Sequence, residues 1–437
     1  MSKKFSFGRF GKLKEKLDSG LDRAQAGLDK LGDKLDERDE RNDPIYSKRL
    51  HDTSSEIKAE NGVWVKGGID VYFLLIVIAL TLFGAVMAYS ASSIYAQQYH
   101  DDSTYFAKRH ILYLLIGTVP TVVCVIFARP WTWRFVGVLS YVASVLMLLL
   151  VLIIGSSYGS GATRWIQIGP ISIQPSEVAK MAVILVLALF MSKHEKRLMV
   201  HQRFGGHFYY GVLGPMLIFG FICVLVMLEK HLSGIIIIGL LGMTVMYLGG
   251  TDLKWFALIF GVGAVAVALI LTVSDYAWAR VDTWLNIESV DPLGGAWQTL
   301  QGLYAIGSGG FFGVGLGNSR QKFGYVSQPQ NDFIFTIVCE ELGFIGALIV
   351  IILFALLVWR GFHIAAHAPD KFCSLAVYGL TAKVALQAIL NIAVVTNSMP
   401  NTGISLPFFS SGGTSLIMQI FEMGIILSIS RYSYQKR

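Results

Sequence analysis

RVDTWLNIESVDPLGGAWQTLQGLYAIGSGGFFGVGLGNSRQKFGYVSQPQNDFIFTIVCEELGFIG, residues 280–346, is the stretch on which the fold is decided. Up to Asp332 it is the longest region after Val63 without an apolar run long enough to span a bilayer. It carries Asp282, Glu288, Asp291, Arg320, Lys322 and Asp332, in a chain otherwise built of hydrocarbon. Its glycines, as in Gly307-Ser308-Gly309-Gly310 and Gly313-Val314-Gly315-Leu316-Gly317, let a backbone turn tightly and approach a ligand. A loop longer than about 12–15 residues is usually functional or disordered. Trp284, Trp297, Tyr304, Phe311 and Phe312 argue against disorder. The stretch reads as an ordered cap over a membrane domain, with the chemistry in or beneath it.

The rest of the chain fits that reading. Of 437 residues, 54% are hydrophobic and 15% charged, where a soluble domain has about a quarter charged. The expected fold is all-α and polytopic, with about ten membrane helices near 69–89, 110–128, 134–155, 177–192, 209–228, 233–249, 254–274, 333–358, 373–396 and 412–430. The large loop 275–332 then lies between helices 7 and 8. Residues 1–62 form a charged tail. In it Leu13, Leu17, Leu21, Leu28, Leu31 and Leu35 recur at spacings of an amphipathic helix, so it reads as part helix or mobile tail. Residues 63–437 are the membrane domain. No cleavable signal peptide is expected, because the first sixty residues are hydrophilic.

Positive charge sets the orientation. With ten crossings the basic tail, Arg129 to Arg134, Lys193 to Arg197 and Arg431 to Arg437 all fall inside. Both termini are then cytoplasmic, and the loops near 156–176, 275–332 and 397–411 lie outside. The net charge of +7 is this cytoplasmic bias rather than a nucleic-acid surface. Cys124, Cys223, Cys339 and Cys373 lack metal-ligand spacing and read as small core residues.

Three outside stretches carry polar chemistry. Around Arg164, Gln174-Pro175-Ser176-Glu177 opens a helix on which Glu177 and Lys180 share a face at i, i+3. That pair reads either as a head-group binder or as a cap on the helix end. The second stretch is 280–332. In it Asp291-Pro292 sets a carboxylate with a restricted backbone and an exposed side chain in a short turn, a candidate general base, although Asp-Pro turns are common. The third, NSMPNTGISLPFFSSGG at 397–413, suits a tight loop lining a cavity and includes Ser410 and Ser411. Within the membrane stand Glu340, Glu341, Lys383, Gln387 and Asn391. The last three are four apart and share a helix face. Segments eight and nine are joined by a short connection, so Lys383 is expected to pair with Glu341. Such groups are either functional or a structural ion pair.

Taken together these stretches resemble the SEDS family of membrane peptidoglycan glycosyltransferases. Tyr89-Ser-Ala-Ser-Ser93, GATRWIQIG, QPSEVAK, Asp291-Pro-Leu-Gly, AIGSGG, GVGLGNSRQK, DFIF, EELGFIG and GISLPFFSSGG occur in family order from about Asp70 to the C-terminus. GLGNS before Gln321-Lys322 leans toward the FtsW branch. The chain departs from the family at Val326–Asn331, which lacks a usual Glu and His. It departs again at Leu228–Gly234, where LEKHLSG stands in place of Gln-Pro-Asp-Leu-Gly.

The resemblance implies polymerisation of lipid II, an undecaprenyl-diphosphate-linked disaccharide-pentapeptide, outside the cytoplasmic membrane at the division septum. Asp291 matches the family's catalytic aspartate and would take the acceptor hydroxyl's proton. Arg164, Glu177, Lys180, Arg320, Gln321, Lys322, Asp332, Ser410 and Ser411 are the expected substrate-binding residues. The sequence requires no cofactor and fixes no metal ligand, and it leaves room for a divalent cation, Mg or Mn. The implied partners are a class B penicillin-binding transpeptidase, FtsI-like, and other division proteins. Two other classes share these features. A flippase for the same lipid would use the cavity without making a bond. A silent scaffold would recruit division proteins through residues 1–62. An outside Asp291 favours the enzyme, because a carrier concentrates ionisable groups near the midplane.

Overall fold

The computed structural model describes residues 63–155, 164–168, 171–199, 208–273, 275–287 and 296–435. The expected tail helix within residues 1–62 and the candidate base Asp291 lie outside the described residues.

Helices account for nearly all of the structure. They are α1 (Val71–His100), α2 (Tyr105–Phe127), α3 (Pro130–Ile154), α4 (Pro175–Lys193), the short α5 (Glu195–Met199), α6 (Tyr209–Leu228), α7 (Leu232–Gly249) and α8 (Leu253–Val273). Then follow α9 (Asp275–Leu285), α10 (Trp297–Gly309), α11 (Ile334–Ala366), α12 (Lys371–Val395) and α13 (Gly413–Ser430). Strand β1 (Val63–Lys66) pairs antiparallel with β4 (Tyr432–Gln435), and β2 (Ile166–Ile168) pairs with β3 (Ile171–Ile173).

Among the described residues, nine helices are long and apolar enough to cross a membrane. The β1–β4 pair sets Val63 opposite Gln435. The two ends of the membrane domain therefore lie on one face, and the number of crossings between them is even. Helix α8 supplies the tenth: its 21 residues span about 31 Å at the α-helical rise, the thickness of the hydrocarbon core.

Burial sorts the helices. About seven tenths of the spanning windows of α4 (72%), α12 (67%) and α13 (72%) are buried, against 22% in α2 and α3. The three central spans are also the least apolar of the nine. Neighbouring helices shield them from lipid, so they can carry the charges that α2 and α3 cannot.

Two helices run past their expected ends. Helix α1 continues to His100 and α11 to Ala366. The apolar signal stops where hydrocarbon stops, but the backbone has no reason to leave the helix there. The expected loop 275–332 contains α9 and α10, and Gln298 Nε2 donates to Ser327 O at 3.2 Å. Beyond α10, residues 310–315 are knitted to a break in α11. Val314 N donates to Glu340 O, Gly315 N to Glu341 O, and Phe344 N to Gly310 O. The break sits at Gly343, with φ 67° and ψ −165°, a conformation that only glycine adopts without strain. Non-helical backbone at membrane depth needs protein partners of this kind.

Candidate active site

The three polar stretches singled out by sequence converge on one cavity of about 390 Å3. Arg164, Trp165, Ser172 and Gln174 come from the β2–β3 hairpin and its flanks. Asn331 and Asp332 precede α11, and residues 403–405 and 410–413 precede α13. The α12–α13 loop is held from two sides. Arg280 of α9 donates to Asn401 O at 2.8 Å, and Trp284 Nε1 donates to Asn397 O at 3.0 Å.

Glu177 and Lys180 form the floor, and with Lys383 and Glu422 behind them they make a buried quartet. Lys180 Nζ lies 2.5 Å from Glu177 Oε1. Lys383 Nζ lies 2.6 Å from Glu422 Oε1 and 2.8 Å from Oε2, and 4.0 Å from Glu177 Oε2. All four residues are buried. Two cations and two anions cancel, which is the condition under which charges survive away from water. The sequence expectation that Lys383 pairs with Glu341 is therefore corrected. Glu341 lies about 10 Å along α11 from its outer end, and Lys383 about 18 Å along α12 from its own, counted at 1.5 Å per residue. Consecutive helices are neighbours, but these two side chains sit at different depths.

Glu340 and Glu341 form a second cluster, outside the cavity lining. Ser90 Oγ donates to Glu341 Oε2 at 2.6 Å, and Lys322 Nζ reaches Glu341 Oε1 at 3.0 Å. Arg320 N donates to Glu340 Oε1 at 2.9 Å, and Ser319 Oγ donates to Glu340 Oε2. Lys322 is buried and committed to the loop it belongs to, with a further bond to Gly317 O at 2.6 Å. Arg320 is exposed and Gln321 half-buried, and neither lines the cavity. Three of the expected substrate contacts thus stand apart from Arg164, Glu177, Lys180, Asp332, Ser410 and Ser411, which line it.

Along α12 the four-residue stripe reads outward from the floor. Lys383 joins the quartet and Gln387 lines the cavity. Asn391 Nδ2 donates to Asp332 O and to Ile404 O, both at 2.7 Å, and so pins two loops at the rim. Asp332 has its carboxyl beneath Gly403, whose added Cβ would stand 3.1 Å from Oδ2. Burial pushes that carboxyl up to about 6, against the opposing charge of Arg280.

Sequence reading missed the second wall. Arg109 of α2 lines the cavity and donates to Tyr105 Oη at 3.1 Å and Tyr113 Oη at 2.9 Å. The ring of Tyr113 fills the space where a Cβ on Gly413 would stand, at 2.6 Å, so only glycine lets α13 begin there. Arg164 donates to Lys230 O at 2.6 Å. Next to it Glu229 is buried, and burial raises its carboxyl to about 8 against the pull of Arg164, so it is largely protonated at pH 7. Glu422 and Arg109 were both signalled: one is an acid inside an apolar run, the other a cation at its border.

The N-termini of three helices also meet here. Gln174 and Glu177 open α4, His231 and Ser233 open α7, and Gly412 and Gly413 open α13, and all line the cavity. Each N-terminus carries about half a positive charge and unsatisfied N–H donors. With Arg109 and Arg164 on the walls and a buried quartet that sums to zero, these N-termini give the cavity a lining of positive partial charge and N–H donors. Among the described residues no group of three His, Cys, Asp or Glu side chains stands together. Glu177 is already held by Lys180, so these residues do not make a metal-binding set.

The fold and site define a polytopic membrane protein with a cavity lined by two arginines and three helix N-termini. Comparison with known proteins places it further. The family model FTSW_RODA_SPOVE, described as cell cycle protein, matches residues 70–435. Stage V sporulation protein E of Bacillus subtilis (strain 168) is 38% identical over 366 residues, covering 83% of this chain and 97% of that protein. A protein of Trichlorobacter lovleyi named "Probable peptidoglycan glycosyltransferase FtsW" is 36% identical over 365 residues, covering 83% and 93%. Among solved structures, one described as "Structural coordination of polymerization and crosslinking by a peptidoglycan synthase complex" superposes with a TM-score of 0.67 at 26% identity, over 83% of this chain and 98% of that one. The rod shape determining protein RodA of Thermus thermophilus superposes at 0.61 and 25% identity, over 83% and 97%. The chain belongs to the FtsW, RodA and SpoVE family.

Proposed function

We propose that this protein is a peptidoglycan glycosyltransferase that polymerises lipid II at the outer face of the cytoplasmic membrane, in cell division. The observation that carries the proposal is the cavity, where two arginines and three helix N-termini surround a neutral floor. A donor lipid anchored in the membrane can present its diphosphate there. The acceptor sugar hydroxyl attacks the donor's anomeric carbon, and the carbon–oxygen bond to the diphosphate breaks. The electron pair leaves with the diphosphate, whose growing charge the cavity is arranged to stabilise. Asp291 takes the hydroxyl proton as general base. Attack on the face opposite the leaving group inverts an α-linked donor to a β-linkage. Arg109, Arg164 and Lys180 are the cavity's cations.

The family names of the relatives support this reading, and so does the likeness to a synthase complex that couples polymerisation to crosslinking. A class B penicillin-binding transpeptidase, FtsI-like, is the proposed partner. Both termini are placed in the cytoplasm on the distribution of Lys and Arg, and the septum is the proposed location.

The cavity assignment is tested by replacing Arg109 and Arg164 with Gln together. Lipid II turnover by the purified double variant should fall at least about tenfold at unchanged thermal stability. Full turnover would place the diphosphate elsewhere. A protein that carried lipid II across vesicle membranes without forming glycan would be a flippase, and the enzyme reading would be withdrawn.

A further inference from the structure

His231 stands in the stretch LEKHLSG at 228–234. The ring stands at the N-cap of α7 and lines the cavity. It is 8% exposed. Its Nδ1 is buried and has no hydrogen-bond partner among the described residues. That edge faces the start of α7: a Cβ on Gly234 would stand 2.9 Å from Nδ1 and 3.1 Å from Cε1. The first turn of a helix presents N–H groups and a positive end. A lone pair at Nδ1 is favoured there and a proton is not. The ring's one proton then sits on Nε2, at the edge left for the cavity.

We propose that His231 is a neutral donor to the ligand, its Nε2–H directed at an oxygen of the bound diphosphate. The inference rests on the diphosphate reading of the cavity and adds one contact to it. Neighbouring charges agree with a neutral ring. Arg164 precedes β2, Lys180 and Glu177 lie on α4, and Lys383 and Glu422 stand behind them. Burial first, then Arg164 and Lys180, hold the imidazole down at about 3, against the opposing effect of Glu177. An Asp at this position would place a negative charge beside an anionic ligand. A neutral donor instead adds a hydrogen bond without adding charge to a floor that already sums to zero.

The probe is geranylgeranyl diphosphate, with geranylgeraniol as the uncharged control, titrated against the purified full-length protein in detergent. His231→Phe should bind the diphosphate about tenfold more weakly, the value of one hydrogen bond to a charged group. His231→Gln, whose side-chain amide can present an N–H at a similar reach, should stay within about twofold of the wild type, since it keeps that hydrogen bond. Binding of the alcohol should not distinguish the three. Equal diphosphate binding by His231→Phe, or an equal loss in His231→Gln, overturns the proposal. No diphosphate binding by the wild type sinks the cavity reading itself, and this contact with it. A second readout is taken on the wild-type ring itself. With 15N-labelled histidine, the resonance lost in His231→Gln should be that of a neutral ring protonated at Nε2, and it should shift when the diphosphate is added. A ring protonated at Nδ1 or at both nitrogens contradicts the assignment.

Discussion

Lys383 and Glu422 meet across α12 and α13 with Nζ 2.6 Å from Oε1, both buried behind the cavity lining. Removing one partner leaves an unpaired buried charge, which typically costs about 3–5 kcal/mol. Lys383→Met should destabilise the protein by that order. Adding Glu422→Gln should recover part of the loss, and adding Glu341→Gln should recover none. Thermal stability of the single and double variants in one detergent decides it. Additivity of Lys383→Met with Glu422→Gln would contradict the pairing.

Lys322 and Glu341 are the corresponding pair beneath the glycine-rich loop, 3.0 Å apart. Their role is to hold residues 310–322 against the break in α11. Lys322→Met and Glu341→Gln should each loosen that loop, and the double variant should lose less than the sum. Limited proteolysis within 310–327 reads this directly, with cleavage expected to quicken in both single variants. Diphosphate affinity at the cavity should change little, because neither residue lines it.

At the mouth of α13, Gly413 has no room for a methyl group, since the Tyr113 ring already occupies the position at 2.6 Å. Gly413→Ala should destabilise the protein by about 1–3 kcal/mol, the usual penalty for overpacking. Tyr113→Leu should relieve the clash and restore part of the stability. The double variant should still lose turnover, because Tyr113 also holds Arg109. A thermal melt and a lipid II assay on the same preparations separate the two effects.

Asp332 gives a pH signature. Its carboxyl is raised from 3.8 to about 6 by burial, so the folded protein holds this proton more tightly than the unfolded chain. The stability it contributes is complete below about pH 4 and is lost as pH rises through about 6. Asp332→Asn should therefore show a smaller drop in melting temperature between pH 4 and pH 7 than the wild type. An equal drop in both would show that other groups carry the dependence.

Much of this architecture was legible in the sequence, because hydrocarbon thickness fixes how long an apolar run must be. That residues 164–174, 331–332 and 403–413 meet at one cavity agrees with the common side that charge and parity gave their loops. The stripe Lys383, Gln387 and Asn391 was legible because four-residue spacing shares a helix face. Its partner was not, because connectivity picks the next helix but not the depth at which a side chain sits. Glu422 lies 39 residues away, on a helix that reaches α12 only through packing. Arg109 was missed for a simpler reason. It falls one residue before the apolar run that marked the second segment, so it read as a border rather than a wall. Lys322 misled in the opposite sense: an outside loop suggested an available cation, but the loop folds it inward onto Glu341.

The most direct test of the account is polymerisation by the purified full-length protein. Wild type and Asp291→Asn are incubated with lipid II, alone and with the transpeptidase, and the products are separated by chain length. The account predicts glycan strands from the wild type and a loss of roughly 10²–10⁴ in rate for the Asn variant, at equal membrane insertion. Near-normal strands from Asp291→Asn would contradict the assigned base. An absence of strands from the wild type in the presence of its transpeptidase would contradict the activity itself.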